Sequence, residues 1–307
     1  MKLALGTVQF GLDYGISNQQ GQVTPAQVKE LLHQAKALGI DTLDCAGAYG
    51  NSEAVLGALS ASENFNLISK VPALTPLQAS ILPFVEQTLT HLRCNRINTL
   101  LFHQADNLLK HPNKVELFSQ LALLKKQKKV TNIGVSVYSP DQLVSITQHY
   151  PIDTVQAPIN VFDQRFLSEE IMMLCQKNSI KLHARSLFLQ GLLFIEQAEL
   201  PIYFKPYQDT LNAFTTMAQY LSCSKLTLAL SLLAQKSHEN SSNSSITRDA
   251  IKNTVIEKLV VGVCNTQQLV EIVNAYQHAK DLKITTEELS SLADTRLGLI
   301  NPSLWQL

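Results

Sequence analysis

The sequence predicts a parallel β/α fold built from successive barrel-like strands, and three apolar runs in its first third carry that expectation. Thr42 to Ala46, Leu67 to Val71 and Thr99 to His103 each follow a segment of helical period. Each also ends at side chains capable of proton chemistry: Asp44 with Tyr49 just beyond it, then Lys70, then His103. Polar residues at the carboxyl ends of parallel strands are where such folds carry their chemistry.

The elements follow in order. A first strand lies near Leu3, and the first helix is announced by Thr24 as a cap ahead of Pro25, by Val28, Leu31, Leu32, Ala35 and Leu38 on one face, and by Gly39 at its end. Strands near Leu43 and Leu67 come next, then a helix from about Pro76 to His91 and a strand near Leu100. Helices are expected over 113–129, 140–148, 167–177, 207–221 and 225–236, interleaved with strands over 130–137, 154–157, 180–186 and 259–263, which makes eight strands in all. Gln190 to Pro206 is a long connection after the seventh strand, placed where a loop can cover a ligand or simply run over the surface. Residues 238–248 form a polar insertion rich in Ser and Asn, read as a loop without function. Residues 283–307 form a helical extension, with a helix over 285–295 that starts in the capping-box-like context Thr286-Glu287-Glu288, and with Trp305 as a cover over apolar surface.

Composition sets the class. The 307 residues are 45% apolar and 16% charged, enough for a large core in a single domain spanning 1–307. Lys plus Arg equal Asp plus Glu at 25 each, so no global field draws in nucleic acid or anionic lipid. Cys45, Cys94, Cys175, Cys223 and Cys264 are scattered without metal-ligand spacing and read as reduced thiols. No apolar run reaches a membrane span, so a cytoplasmic protein with no membrane or nucleic-acid partner and no metal is expected.

Of the four polar residues, Tyr49 alone can donate a proton near neutral pH and leave a stabilised anion. A phenol is ordinarily too weak an acid, with a pKa of about 10, but a Lys ammonium nearby favours phenolate and a carboxylate fixes that ammonium. Lys70 and Asp44 can fill those parts, and His103 can donate a hydrogen bond to a carbonyl and orient it. The set describes an acid that protonates a carbonyl oxygen while hydride reaches the carbon, and because no side chain supplies hydride a nicotinamide is implied. Each residue taken singly also has a plainer part: a packed rim tyrosine, a solvated lysine, a hydrogen-bonded core histidine, and an Asp–Lys ion pair joining neighbouring strands.

The segment Leu43-Asp44-Cys45-Ala46-Gly47-Ala48-Tyr49-Gly50-Asn51-Ser52-Glu53 resembles the Asp-Thr-Ala-x-x-Tyr-Gly-x-Ser-Glu signature of the aldo/keto reductases. Gly6-Thr7 resembles that family's first strand, Ser69-Lys70-Val71 its lysine strand and Leu101 to Asp106 its His-x-x-Asp strand. Ile133 to Ser139 resembles Ile-Gly-Val-Ser-Asn-Tyr-Ser, and Gln156 to Asn160 the Gln-x-x-x-Asn segment. The resemblance covers most of the chain. It implies a (β/α)₈ TIM barrel, NADPH- or NADH-dependent reduction of a small-molecule carbonyl, and a catalytic tetrad of Asp44, Tyr49, Lys70 and His103 with the tyrosine as general acid.

It further implies cofactor contacts from Thr7, Ser136 and Gln156, from Arg185, Ser186, Phe188, Gln190 and Gly191 in the loop after the seventh strand, and from Gly262, Cys264, Asn265, Gln268 and Glu271 after the eighth. Several positions depart from the family pattern. Arg185 stands where a stacking tyrosine is usual, and a guanidinium plane can stack likewise while adding positive charge. Val137 replaces an asparagine, and Cys264 and Gln268 stand where Arg or Lys usually holds the adenosine 2′-phosphate, which brings NADH forward unless a cation such as Arg248 reaches in. Candidate substrate-lining residues are Asp13, Tyr14, Ala48, Gln104 and Phe162. The opening Gly6 to Gly15 and the loop from Arg185 resemble a bacterial branch associated with surface-polysaccharide or nucleotide-sugar pathways, which implies a polar, sugar-derived carbonyl. Two other functions stay open: a cofactor-binding sensor or scaffold with little turnover, and a barrel lyase or isomerase without redox chemistry.

Overall fold

The computed structural model describes residues 1–234, 252 and 254–306, so the expected 238–248 insertion and Arg248 lie outside the described residues. Eight parallel strands pair in chain order and the last returns to the first: β1 (Leu3–Gly6), β2 (Thr42–Asp44), β3 (Asn66–Val71), β4 (Ile97–Phe102), β5 (Val130–Ser136), β6 (Thr154–Pro158), β7 (Lys181–Arg185) and β8 (Ile256–Gly262). With helices alternating outside the strands this is a (β/α)₈ TIM barrel. Strands buried on both faces read as apolar runs, as β1 (Leu-Ala-Leu-Gly) and the Leu100-Leu101-Phe102 end of β4 do.

Register decides which side chains meet. Asp44 aligns with Ile68, two residues before Lys70, so the period of two puts the Asp44 and Lys70 side chains on the same face of the sheet. Ser136 aligns with Gln156, Pro158 with Arg185 and Gly6 with both Asp44 and Gly262, which gathers the carboxyl ends of the strands at one mouth.

The helices are α1 (Pro25–Ala37), α2 (Ser52–Ala58), α3 (Leu82–Leu92), α4 (Asp106–Leu109), α5 (Lys114–Lys126), α6 (Pro140–Thr147), α7 (Glu169–Lys177), α8 (Gln208–Tyr220), α9 (Lys225–Ala234), α10 (Thr266–Asp281), α11 (Thr286–Ser290) and α12 (Leu297–Ile300). Thr24 caps α1 through a reciprocal box with Gln27, as the Thr-Pro signal predicts. Helix α3 begins at Leu82 rather than Pro76. The preceding turn is held instead by side chains of other elements, with Leu74 N–H donating to Asn107 and Ile81 N–H to Gln120, so its backbone needs no helix. The final helix is split: α11 starts one residue after its cap Thr285, whose box partner is Glu288, and ends at Ser290. Beyond it Asp294 binds Arg296 and Thr210, an arrangement that draws its carboxyl down to about 2, chiefly through the Arg296 hydrogen bonds. Trp305 packs edge-on against Phe204 at 4.9 Å and donates to the Leu299 carbonyl, covering apolar surface as expected.

Candidate active site

Four elements deliver the central cluster. Lys70 Nζ, at the end of β3, donates to Asp44 Oδ2 at 2.8 Å, to the Cys45 carbonyl at 3.0 Å and to Tyr49 Oη at 3.4 Å. Three acceptors match the three protons of an ammonium. The Lys70 side chain is fully buried and that of Asp44 is 4% exposed, so the ion pair is largely shielded from solvent. The other Asp44 oxygen accepts from Gln156 Nε2 at 2.8 Å, a bond that reaches from β6 to β2. The His103 ring stands edge-on to Tyr49, with centroids 5.7 Å apart.

This packing sets the protonation states. Burial pushes the Tyr49 phenol up, and the Lys70 charge and hydrogen bond work in the opposite direction without overcoming it. Burial opposes the Lys70 ammonium, yet Asp44 outweighs it and Lys70 stays charged. Burial, reinforced by the Lys70 charge, lowers the His103 imidazole to about 4, so it is neutral at pH 7. The site therefore presents a protonated phenol, a fixed ammonium and a neutral imidazole.

Tyr49 lies on a turn between β2 and α2 that is pinned from several sides. Ser52 Oγ donates to the Thr7 carbonyl and lies 2.8 Å from Thr7 Oγ1, while Ser69 Oγ donates to the buried Glu53 carboxylate at 2.6 Å. Gly50 has φ +56°, and a Cβ there would fall 2.3 Å from the Gly11 carbonyl oxygen. A Cβ on Gly11 would fall 1.9 Å from the Tyr49 carbonyl. Glycine at both positions lets the loop after β1 lie directly on the tyrosine turn.

A cavity of about 890 Å³ opens over this cluster. Its wall includes Thr7, Asp44, Tyr49, His103, Gln156, Arg185, Ser186, Phe188, Gln190, Gly191, Gly262, Cys264, Gln268 and Glu271. Lys70, Ser136 and Asn265 stand off the wall: Lys70 beneath Tyr49, Ser136 accepting from Arg185 Nε, and Asn265 as the cap of α10 through the Gln268 N–H. Of the candidate substrate residues, Tyr14 and Ala48 line the cavity. Asp13 and Gln104 do not, and Phe162 is fully buried with its ring against Phe214 at 5.8 Å, so it belongs to the core rather than the mouth. The wall also takes in Gln9, Ser17, Asn18, Gln19 and Gln20, together with Tyr138 and Phe194. Ser17 Oγ reaches the Gln190 carbonyl and Cys264 Sγ reaches Asn18 Oδ1, which ties the loop after β1 to the loops after β7 and β8. Arg185 lies over the Tyr138 ring at 4.3 Å. Among the described residues no cluster of His, Cys, Asp or Glu is placed to hold a metal ion, and no helix is long and apolar enough to cross a membrane.

A family model described as the aldo/keto reductase family matches residues 2–293. The chain belongs to the aldo/keto reductase family. Two curated relatives are an uncharacterized oxidoreductase, YcsN, of Bacillus subtilis, 28% identical over 197 residues, and the oxidoreductase YdhF of Escherichia coli, 25% identical over 206 residues. The matches take in 57% and 60% of this aldo/keto reductase family chain and 65% and 66% of the relatives, just under two thirds of their lengths. Among solved structures, an aldo-keto reductase from Bacillus halodurans in its holo form superposes with a TM-score of 0.72 at 18% identity, covering 95% of this chain and 92% of that one. At that identity the likeness is one of fold.

Proposed function

We propose that this family member is an oxidoreductase that reduces an aldehyde or ketone to an alcohol with NADH or NADPH. One observation carries the proposal: the Lys70 ammonium holds Asp44 and Tyr49 at once, beneath a cavity large enough for a dinucleotide and a small substrate. With Lys70 donating to Tyr49 Oη, the phenol proton is left for a substrate oxygen. Tyr49 then acts as general acid, Lys70 and Asp44 stabilise the phenolate it leaves, and neutral His103 donates a hydrogen bond that orients the carbonyl.

The residues present fit a dinucleotide. Gln9 Oε1 on the cavity wall is buried without a hydrogen-bond partner, an acceptor suited to a ligand donor. Gly191 has φ +92°, and a Cβ there would fall 1.8 Å from Ser17 Oγ, so glycine lets the loop after β7 lie against the loop after β1 at the cavity wall. When bound, the nicotinamide supplies the hydride. Thr7, Ser136, Gln156, Arg185 and Ser186 would surround the nicotinamide end. Phe188, Gln190 and Gly191 would cover the middle, and Gly262, Cys264, Asn265, Gln268 and Glu271 would take the adenosine end. Among the described wall residues the adenosine end offers amides and the Glu271 carboxylate but no Lys or Arg, which favours NADH over NADPH.

The test is a fluorescence titration with NADH and NADPH side by side. Micromolar or tighter binding is expected, stronger for NADH. Absence of binding by either would overturn the redox mechanism and leave a lyase, an isomerase or a scaffold.

A further inference from the structure

Asp44 is neutralised by Lys70, and the only Lys or Arg on the cavity wall among the described residues is Arg185. It is half-buried, and among the described residues no carboxylate forms an ion pair with it. Its guanidinium is held in place: Nε donates to Ser136 Oγ at 3.3 Å, Nη1 to Ser186 Oγ at 3.2 Å and Nη2 to the Val137 carbonyl at 3.1 Å, with the Tyr138 ring against its plane. Three of its five N–H groups are engaged in these bonds, leaving one on each terminal nitrogen. That pair is the fork with which arginine takes a carboxylate or phosphate in two parallel hydrogen bonds. A partly desolvated cation with no carboxylate partner among the described residues, fixed by neutral groups, favours an anionic ligand.

Placement says which anion. Arg185 ends β7, and the bonds that fix it run to the end of β5, on the wall that also carries Tyr49, His103 and Tyr138. Its charge is felt at both Tyr49 and His103, where it favours phenolate and disfavours imidazolium. We propose that Arg185 is a specificity-determining residue that binds an anionic group, carboxylate or phosphate, borne by the carbonyl substrate. This rests on the carbonyl-reductase function proposed above. It makes the substrate a short oxo acid or a phosphorylated aldehyde or ketone rather than a neutral carbonyl. The same fork could instead take the pyrophosphate of the dinucleotide, and the experiment separates the two sources.

The measurement compares kcat/KM for 4-carboxybenzaldehyde against 4-methylbenzaldehyde, and for glyceraldehyde 3-phosphate against glyceraldehyde, in the wild type and in Arg185→Gln and Arg185→Lys. Dinucleotide Kd is read in parallel by fluorescence. The wild type is expected to favour the anionic member of at least one pair by tenfold or more. Arg185→Gln should collapse that ratio by at least tenfold, and Arg185→Lys, which keeps the charge but not the fork, should retain part of it. A ratio unchanged in Arg185→Gln overturns the proposal. If dinucleotide affinity falls while the ratio stands, the cation holds the pyrophosphate. Calorimetric titration of 4-carboxybenzaldehyde into the free and dinucleotide-loaded protein gives a reading that needs no turnover. Weakening of at least tenfold in Arg185→Gln supports the anion site even if no carbonyl is reduced, in which case the reductase proposal alone fails. Equal affinity in the two proteins, or no binding to either, overturns the site.

Discussion

Gln156 Nε2 donates to Asp44 Oδ1 at 2.8 Å, so a side chain from β6 holds the carboxylate whose other oxygen binds Lys70. Both residues are almost wholly buried, and the bond crosses the barrel interior between strands that are not neighbours in the sheet. Sequence resemblance suggests Gln156 as a cofactor contact, and the bond to Asp44 uses one of its two amide N–H groups, leaving the other and the carbonyl oxygen for a ligand. Gln156 is thus as much a part of the charge cluster as of the cavity wall. Replacing it with Leu leaves a buried carboxylate oxygen without its donor, which costs about 1–3 kcal/mol. Urea denaturation of Gln156→Leu should show that loss at pH 7. A variant as stable as the wild type would mean that the bond contributes nothing net.

The Asp44–Lys70 pair should behave as one unit. Lys70→Met leaves an uncompensated carboxylate in a site with 4% side-chain exposure, and losses of about 3–5 kcal/mol follow when one partner of a buried pair is removed. Removing both charges as Asp44→Asn with Lys70→Met should cost less than the sum of the single changes. Independent sites add to within about 0.5 kcal/mol. Strict additivity in a double-mutant cycle would therefore show that the pair is not coupled.

His103 gives a pH signature with a definite sign. In the unfolded chain its imidazole titrates near 6.5, and in the folded protein burial and the Lys70 charge bring it to about 4. Between those values the unfolded chain binds more protons than the folded one, so this residue makes stability fall as the pH drops from 6.5 towards 4. His103→Gln should flatten the slope of unfolding free energy against pH across that window. Denaturant midpoints at half-unit pH steps would read it, and an unchanged slope would show that His103 titrates normally. The same neutrality means that His103 should produce no break in the pH–rate profile above about pH 5.

Asp44, Tyr49, Lys70 and His103 were legible from sequence because each is a titratable side chain at or just beyond the end of an apolar run, and strand register then brings such ends together. Residues on unpatterned loops were not. Ser17, Asn18 and Gln20 reach the cavity through bonds to residues over 170 positions away, such as Ser17 to Gln190, and nothing local to the sequence records them. Phe162 shows the opposite failure: an aromatic after a strand suits a cavity rim and a core equally, and only the Phe214 ring against it decides for the core. Helix α10, sixteen residues long, is not among the helices the sequence predicts, because Asn265, Gln268 and Glu271 at its start also suit a ligand-binding segment. A helix cap and a ligand-binding segment draw on the same polar residues, as Asn265 and Gln268 illustrate.

Tyr49→Phe isolates the chemistry from the architecture. Among the described residues the hydroxyl hydrogen-bonds to Lys70 alone, at 3.4 Å, while the turn that carries the residue is fixed by Ser52, Glu53 and the Gly11–Gly50 contact. Losing the oxygen leaves Lys70 with two of its three acceptors, the Asp44 carboxylate among them, so folding should weaken only by about 1 kcal/mol, the net worth of one hydrogen bond. Dinucleotide affinity should stay within about threefold, a change of under 1 kcal/mol. Turnover of any carbonyl substrate should fall by about 10²-fold or more, because a positioned general acid contributes on that scale and no other wall residue offers a protonated acid beside Lys70. Steady-state kinetics with the titrations run alongside would decide it: turnover retained in Tyr49→Phe would remove the phenol from proton transfer and send the search to His103.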